Sequence, residues 1–321
     1  MRDMAQNLGD KIISRSGGIV LYGMAPPKMG LDPDKVDEIS SRHIRRLRDR
    51  HVDGLILYDI QDEVSRTGVA RPFPFVETMD PLAYSRDHLS DLRVPKIIYR
   101  SVDKYDAEGL SNFLAQLNDG EMAVFSGSSS SSRNSRMTIK DAYALRKSMM
   151  VDSLLGGVLI PERHASSGSE HLRVIDKMSM GCSFFVSQCV YDVESSKAFL
   201  SDYQRRAAEI GVSCVPIIFT LAPCGSEKML DFMKYLGVSI PKWVESDLLR
   251  SADMLERSVH RLRMIWDELW DFADEMRIPI GCNVESVSLR AADVEASLEI
   301  LESVVDKTHA RCAQPLSAGM N

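Results

Sequence analysis

The side chains most able to do chemistry in this chain stand at the ends of short apolar runs. Gln188 closes Ser183–Gln188 (SFFVSQ), where a buried amide must find partners or cost about 1–3 kcal/mol. A primary amide carries both donors and acceptors. It can read a heterocycle edge that presents N–H and C=O side by side, or cap neighbouring backbone groups. His164 follows Pro161-Glu162-Arg163 directly after Gly157–Pro161 (GVLIP). An imidazole there could be a general acid/base, a phosphate or cofactor contact, or a hydrogen-bonder to a loop carbonyl. Tyr58 and Asp59 end Gly54–Ile60 (GLILYDI), with Asp62 and Glu63 in the polar loop beyond, and Asp192 lies four residues after Gln188. Ser126, Gly127 and Ser128 end Met122–Gly127 (MAVFSG) and open a serine run; Thr220, Asn283 and Glu285 end two further apolar runs. Lys177 stands in a helix of polar spacing and by itself reads as a solvated lysine.

Lys177 apart, these positions share one feature, which is that each closes or follows a predicted strand. Ile19–Met24, Gly54–Ile60, Lys96–Arg100, Met122–Gly127, Gly157–Pro161, Ser183–Gln188, Cys214–Leu221 and Ile278–Val284 are apolar and rich in β-branched residues. Segments of helical period separate them: about Asp34 to Arg50, Ala107–Leu117 with Asp106 as N-cap, and others from Ile139, Ser169, Glu194, Ser226 and Ala291. A long charged helix spans Asp247–Met276. Eight strand-helix units in 321 residues predict one (β/α)8 TIM barrel over residues 1–321, with a flexible N-terminus (1–16) and C-terminal tail (308–321). An open α/β sheet is the alternative. In a parallel barrel the working face is the C-terminal end of the strands, so the residues above should gather at one mouth.

Composition narrows the functions. The chain is 44% hydrophobic and 26% charged, with a formal net charge of −7. That balance opposes phosphate-backbone binding, and the one basic cluster, Arg42 to Arg48, is interleaved with apolar residues as a solvated helix face. No run is long and apolar enough to span a membrane, and Met1 to Ser16 has no apolar core of a secretory signal. Six cysteines without a C-x-x-C pair predict a reduced, cytoplasmic protein without structural zinc. His43, His51 and Glu38 lie too far from the strand ends to form a metal cage there, so no metal site is predicted. There is no G-x-G-x-x-G, P-loop or G-x-S-x-G, so a Rossmann nucleotide site and a serine hydrolase have no anchor.

Several stretches together resemble the methylenetetrahydrofolate reductase family. Gly181–Asp192 (GCSFFVSQCVYD) is similar to the family strand in which a Gly-Ala-(Asp/Asn) lead precedes an apolar run, Thr-Gln, aromatics and Asp. Gly211 to Pro223 resembles its seventh strand, and Gly237–Trp243 its Val-x-Ile-Pro-x-(Trp/Leu) step. Ala25-Pro26-Pro27-Lys28 is similar to its first-strand Pro-Pro-Lys/Arg, and Gly156–His164 to its Pro-Glu-x-His loop. The resemblance runs from about residue 20 to 300. It implies a (β/α)8 barrel with a tetrahydrofolate derivative as substrate. Gln188 would take the pterin-binding position, and His164 and Lys177 flavin-contacting positions, Lys177 at the phosphates; Tyr58 and Asp192, from their places at strand ends, are expected to bind substrate as well.

Other family positions differ. The family's catalytic Glu, three residues before the Pro-Pro pair, is Gly23; its Arg-Gly-Asp beside the isoalloxazine is Ser126-Gly127-Ser128; a Thr and a His appear as Leu57 and Lys96. Reducing a methylene bridge needs a hydride donor and an acid that protonates the nitrogen as the ring opens. Gly23 cannot be that acid, and Glu63 is the expected substitute. The loop from Arg71-Pro72 to Met79-Asp80 resembles a flavin-independent branch of the family. The expectation is an atypical reductase of folate-bound one-carbon units, using NAD(P)H without tightly held FAD. A folate-dependent one-carbon transferase and a non-catalytic folate-binding protein are the alternatives, and the oligomeric state is left open.

Overall fold

The structure, a computed structural model, describes residues 7–61, 71–127 and 136–312. Eight parallel strands close on one another in sequence order: β1 Ile19–Met24, β2 Gly54–Leu57, β3 Lys96–Ser101, β4 Glu121–Ser126, β5 Leu155–Leu159, β6 Cys182–Cys189, β7 Ile217–Leu221 and β8 Ile280–Glu285. β8 pairs back onto β1, so the barrel leaves no sheet edge. The open-sheet alternative is thereby removed.

Strands buried on both faces must be apolar at nearly every position, and these are. Alternate residues point to two separate cores. Ile19, Leu21, Ile56, Ile97, Met122, Val124, Phe184, Val186 and Ile218 fill the barrel interior; Val20, Leu55, Leu57, Ile98, Phe125, Phe185 and Phe219 pack outward against the helices. The interior is tight enough that Gly156 is required, because a Cβ there would lie 2.5 Å from the Phe184 ring.

A six-residue helix, α1 (Leu8–Ile13), joins the interior cluster through Leu8 and Ile12, both buried. The sequence reading took residues 1–16 as a flexible lead and gave α1 no element of its own. Its period is too short to register, and its partners are the barrel residues themselves.

The outer layer holds α2 (Pro33–Leu47), α3 (Pro81–His88), α4 (Ala107–Gln116), α5 (Ile139–Met149), α6 (Glu162–Ser167), α7 (Glu170–Ser179), α8 (Val193–Glu209), α9 (Glu227–Tyr235), α10 (Lys242–Arg250), α11 (Met254–Glu275) and α12 (Ala291–Cys312). Asp106 caps α4 as expected, accepting from Gly109 N–H at 2.8 Å. The charged stretch Asp247–Met276 is two helices rather than one. Ser251 turns extended, and the Asp253 side chain accepts from Glu256 N–H at 3.0 Å to start α11.

Candidate functional site at the barrel mouth

At the C-terminal ends of the strands, Tyr58, Ser126, Val158, Gln188 and Glu285 keep partial access to solvent, while the strand residues beneath them are almost all buried. Tyr58 stands one residue beyond β2 and packs edge-on against the Tyr99 ring. Its hydroxyl accepts from Asn283 Nδ2 at 3.0 Å and hydrogen-bonds to Glu285. The same Asn283 amide lies 3.3 Å from Thr220 Oγ1 and 3.4 Å from Glu285 Oε2. Cys189 Sγ reaches Glu285 Oε1 at 3.5 Å. Tyr58, Thr220, Asn283, Glu285 and Cys189 are thus one connected polar group.

Burial pushes the Glu285 carboxyl above the usual carboxylate range, and hydrogen bonds from Tyr58, Cys189 and Asn283 only partly oppose it. Burial also raises the Tyr58 hydroxyl, with the Glu285 carboxylate adding to the effect.

Gln188 owes its place to an irregularity. Between Val186 and Cys189, β6 gains one residue relative to β7, and Thr220 ties the bulge down by donating from N–H to Ser187 Oγ (2.9 Å) and from Oγ1 to Ser187 O (2.7 Å). Bulges re-aim side chains in this way. Gln188 Nε2 donates to Leu236 O at 2.8 Å, and Oε1 is buried with no partner among the described residues. The amide is therefore held in place with its oxygen enclosed and unpaired among the described residues.

Loop 71–80 folds across this end of the barrel. Thr78 bridges Lys28, Met79 N–H donates to Pro27 O at 2.9 Å, and the Phe73 ring meets Phe232 of α9 at 5.2 Å. The segment after β2 therefore passes β1 and reaches the helix that follows β7.

The remaining expected site residues are engaged elsewhere. Asp192 is the N-cap of α8, accepting from Ser195 N–H and Oγ. Among the described residues Ser126 Oγ reaches only Arg100 O, at 3.5 Å, and Gly127 lies against Val102. Lys177 Nζ donates to Val158 O at 2.5 Å inside the wall, and burial lowers its pKa. His164 Nε2 meets Asp202 Oδ2 at 2.9 Å, its ring edge-on to His171 and Phe199, in the helix layer. His164, His171 and Asp202 bring donor atoms within 4.8 Å of one another, but Asp202 is also paired with Arg205 at 2.9 Å. Glu63 and Ser128 lie outside the described residues.

Two positions singled out as altered are not at the mouth at all. Leu57 belongs to the outward core, and Lys96 begins β3 at the opposite end, donating to Leu92 O and Val94 O. A residue's number in a strand fixes its face only once the register is known. By contrast, Gly23 does face the mouth: a Cβ there would stand 2.9 Å from the Tyr58 hydroxyl and 3.0 Å from Glu285 Oε2. Glu285 is a candidate functional group that sequence gives only as one strand end among several. Its signal was a carboxylate closing an apolar β8.

Residues 91–262, more than half of the chain, match the family model of methylenetetrahydrofolate reductase. Among solved structures, a Clostridium thermocellum protein that binds two copies of 5-methyl-5,6,7,8-tetrahydrofolic acid is 43% identical, with a TM-score of 0.82 over 94% of this chain and 99% of that one. A dihydropteroate synthase from Thermus thermophilus is 14% identical, with a TM-score of 0.44 over 89% of this chain and 93% of that one. No curated protein matches the sequence. With a matching model, a barrel of the implied fold and a relative at this identity over nearly its whole length, the chain belongs to the methylenetetrahydrofolate reductase family.

Proposed function

We propose that the chain binds a reduced folate at the barrel mouth and acts on the one-carbon unit it carries, as a reductase that draws hydride from NAD(P)H without a tightly held flavin. The observation that carries this reading is the Gln188 amide, pinned by Leu236 O with its own oxygen unpartnered at the mouth. That oxygen suits the N–H groups along a pterin edge. The relative's binding of 5-methyltetrahydrofolate supports the same ligand class. Family membership supports an oxidoreductase-type enzyme. Five free cysteines and the lack of any membrane-crossing helix among the described residues accord with a cytoplasmic protein.

The packing of Gly23 favours a second reading in which the pocket binds or transfers the one-carbon unit without reducing it. Thermal stabilisation by 5-methyltetrahydrofolate, NADH and NADPH, each tested alone, separates the two. Stabilisation by folate and a nicotinamide supports the reductase; by folate only, the transferase or binding protein. No shift with the folate overturns the folate reading.

A further inference from the structure

We propose that Glu285, held by Tyr58 and Asn283, is the proton donor to the substrate at this mouth, in the space from which a side chain at residue 23 is excluded. The proposal rests on the folate reading above.

Three observations place the group. Glu285 and Gly23 are register partners across β8 and β1, so their side-chain sites adjoin at the same height in the barrel. The volume that a Cβ on residue 23 would enter is taken by Glu285 Oε2 and the Tyr58 ring and hydroxyl. Glu285 also keeps partial solvent access, as a group that must meet a ligand requires.

The hydrogen bonds suit an acid. Asn283 donates to the Tyr58 hydroxyl, which frees the Tyr58 O–H to donate to Glu285, and Asn283 also approaches Oε2. Cys189 Sγ lies 3.5 Å from Oε1, so every side chain bonded to the carboxyl is neutral. The titratable groups facing the carboxyl are Tyr22, Tyr58, Tyr99 and Cys189, and the groups whose hydrogen bonds lower its pKa (Tyr58, Cys189 and Asn283) are neutral donors. Burial therefore raises the carboxyl's pKa and favours its protonated form.

The step balances without a further group. With 5,10-methylenetetrahydrofolate, the carboxyl proton goes to N10 as the bond between N10 and the bridging carbon breaks, and N5 lends its lone pair to that carbon. An N5-iminium forms and Glu285 is left as carboxylate. Hydride from a reduced nicotinamide then converts the iminium to the methyl group, and solvent returns the proton to Glu285.

The test uses full-length protein, 5,10-methylenetetrahydrofolate with NADH or NADPH, and 5-methyltetrahydrofolate as the binding probe. Glu285→Gln should keep 5-methyltetrahydrofolate affinity within about threefold while turnover falls by about 10²–10⁴-fold, the range for loss of a positioned acid. Wild-type kcat/KM should fall on a basic limb that the variant lacks. Tyr58→Phe removes a hydrogen bond that lowers the Glu285 pKa, so its basic limb should move to higher pH. That measurement stands even if Glu285→Gln fails to fold. The assignment is overturned if Glu285→Gln turns over with the wild-type pH profile. It is equally overturned if only Glu63→Gln abolishes turnover, or if wild-type protein binds the folate yet reduces nothing with either nicotinamide. Absence of folate binding fails the functional reading itself and is a separate result.

Discussion

Gly23 and Glu285 face each other across the β1–β8 pair, and a Cβ on residue 23 would come within 3.0 Å of Glu285 Oε2. Only one of the two adjoining sites can carry a side chain toward the mouth. The missing carboxylate of β1 and the carboxylate present on β8 are therefore a single packing arrangement. Gly23→Ala should destabilise the fold by about 1–3 kcal/mol, the usual cost of overpacking, as the Tyr58 ring and Glu285 are pushed apart. Adding Tyr58→Phe, which removes the nearest atom, should recover part of that loss. Urea denaturation of both variants measures it, and an unchanged midpoint for Gly23→Ala would show room that the packing denies.

Gln188 should contribute to folate affinity through its oxygen. Gln188→Ala is expected to weaken 5-methyltetrahydrofolate binding by roughly 1–3 kcal/mol, about five- to 150-fold in Kd. Gln188→Glu should weaken it as well, because a carboxylate would face Leu236 O where the amide now donates. Calorimetric titration reads both, and unchanged affinity in the pair would make Gln188 a backbone cap only.

The barrel was legible because its evidence is periodic: eight apolar runs, each followed by a helical pattern, leave little choice of fold. The strand-end places of Gln188 and Tyr58 were legible for the same reason, as polar groups closing such runs. Side-chain direction was not. Lys177 and His164 carry the right types at the right spacing, yet one bonds Val158 O within the wall and the other Asp202 in the helix layer. The family resemblance sets Leu57 and Lys96 at the ends of strands two and three, and the β2 and β3 registers put Leu57 on the outer face and Lys96 at the far end. The pairing of Gly23 with Glu285 spans more than 260 residues of sequence, and no local pattern encodes it.

Glu162 should make stability fall with pH. It is 9% exposed, and neither carboxyl oxygen has a hydrogen-bond partner among the described residues. Burial raises its pKa from 4.5 to about 8; its own backbone N–H opposes the shift, and Asp192 and Glu170 add to it. Between those two values the folded state keeps a proton that the unfolded chain has released. Raising the pH through that window therefore favours unfolding, by up to about 1.4 kcal/mol per pH unit, and above it the difference is constant. Glu162→Gln removes the titration. Its stability relative to wild type should be near even below pH 4.5 and should rise steadily to pH 8. Denaturation midpoints across that range test the sign, and a difference flat in pH would place the Glu162 pKa near its ordinary value.

Purified protein should be colourless. A tightly held flavin needs its pyrophosphate neutralised and its ring edge hydrogen-bonded. Lys177 is the cation that the family resemblance offers for the first need, but its ammonium is half-buried and donates to Val158 O. His164 is turned to Asp202, so it is not directed at a ring over the mouth. At the end of β4, where the family carries Arg and Asp, Ser126 reaches only a backbone oxygen. Each ring-edge polar atom left unpaired costs about 1–3 kcal/mol, so two such losses remove roughly two to four orders of magnitude in affinity. A nicotinamide that enters and leaves with each turnover has no such need for tight retention. The measurement is the visible spectrum after extensive dialysis, with the supernatant of denatured protein as a second reading. A flavin band in stoichiometric amount would overturn the expectation and require Lys177 and His164 to turn toward the ligand.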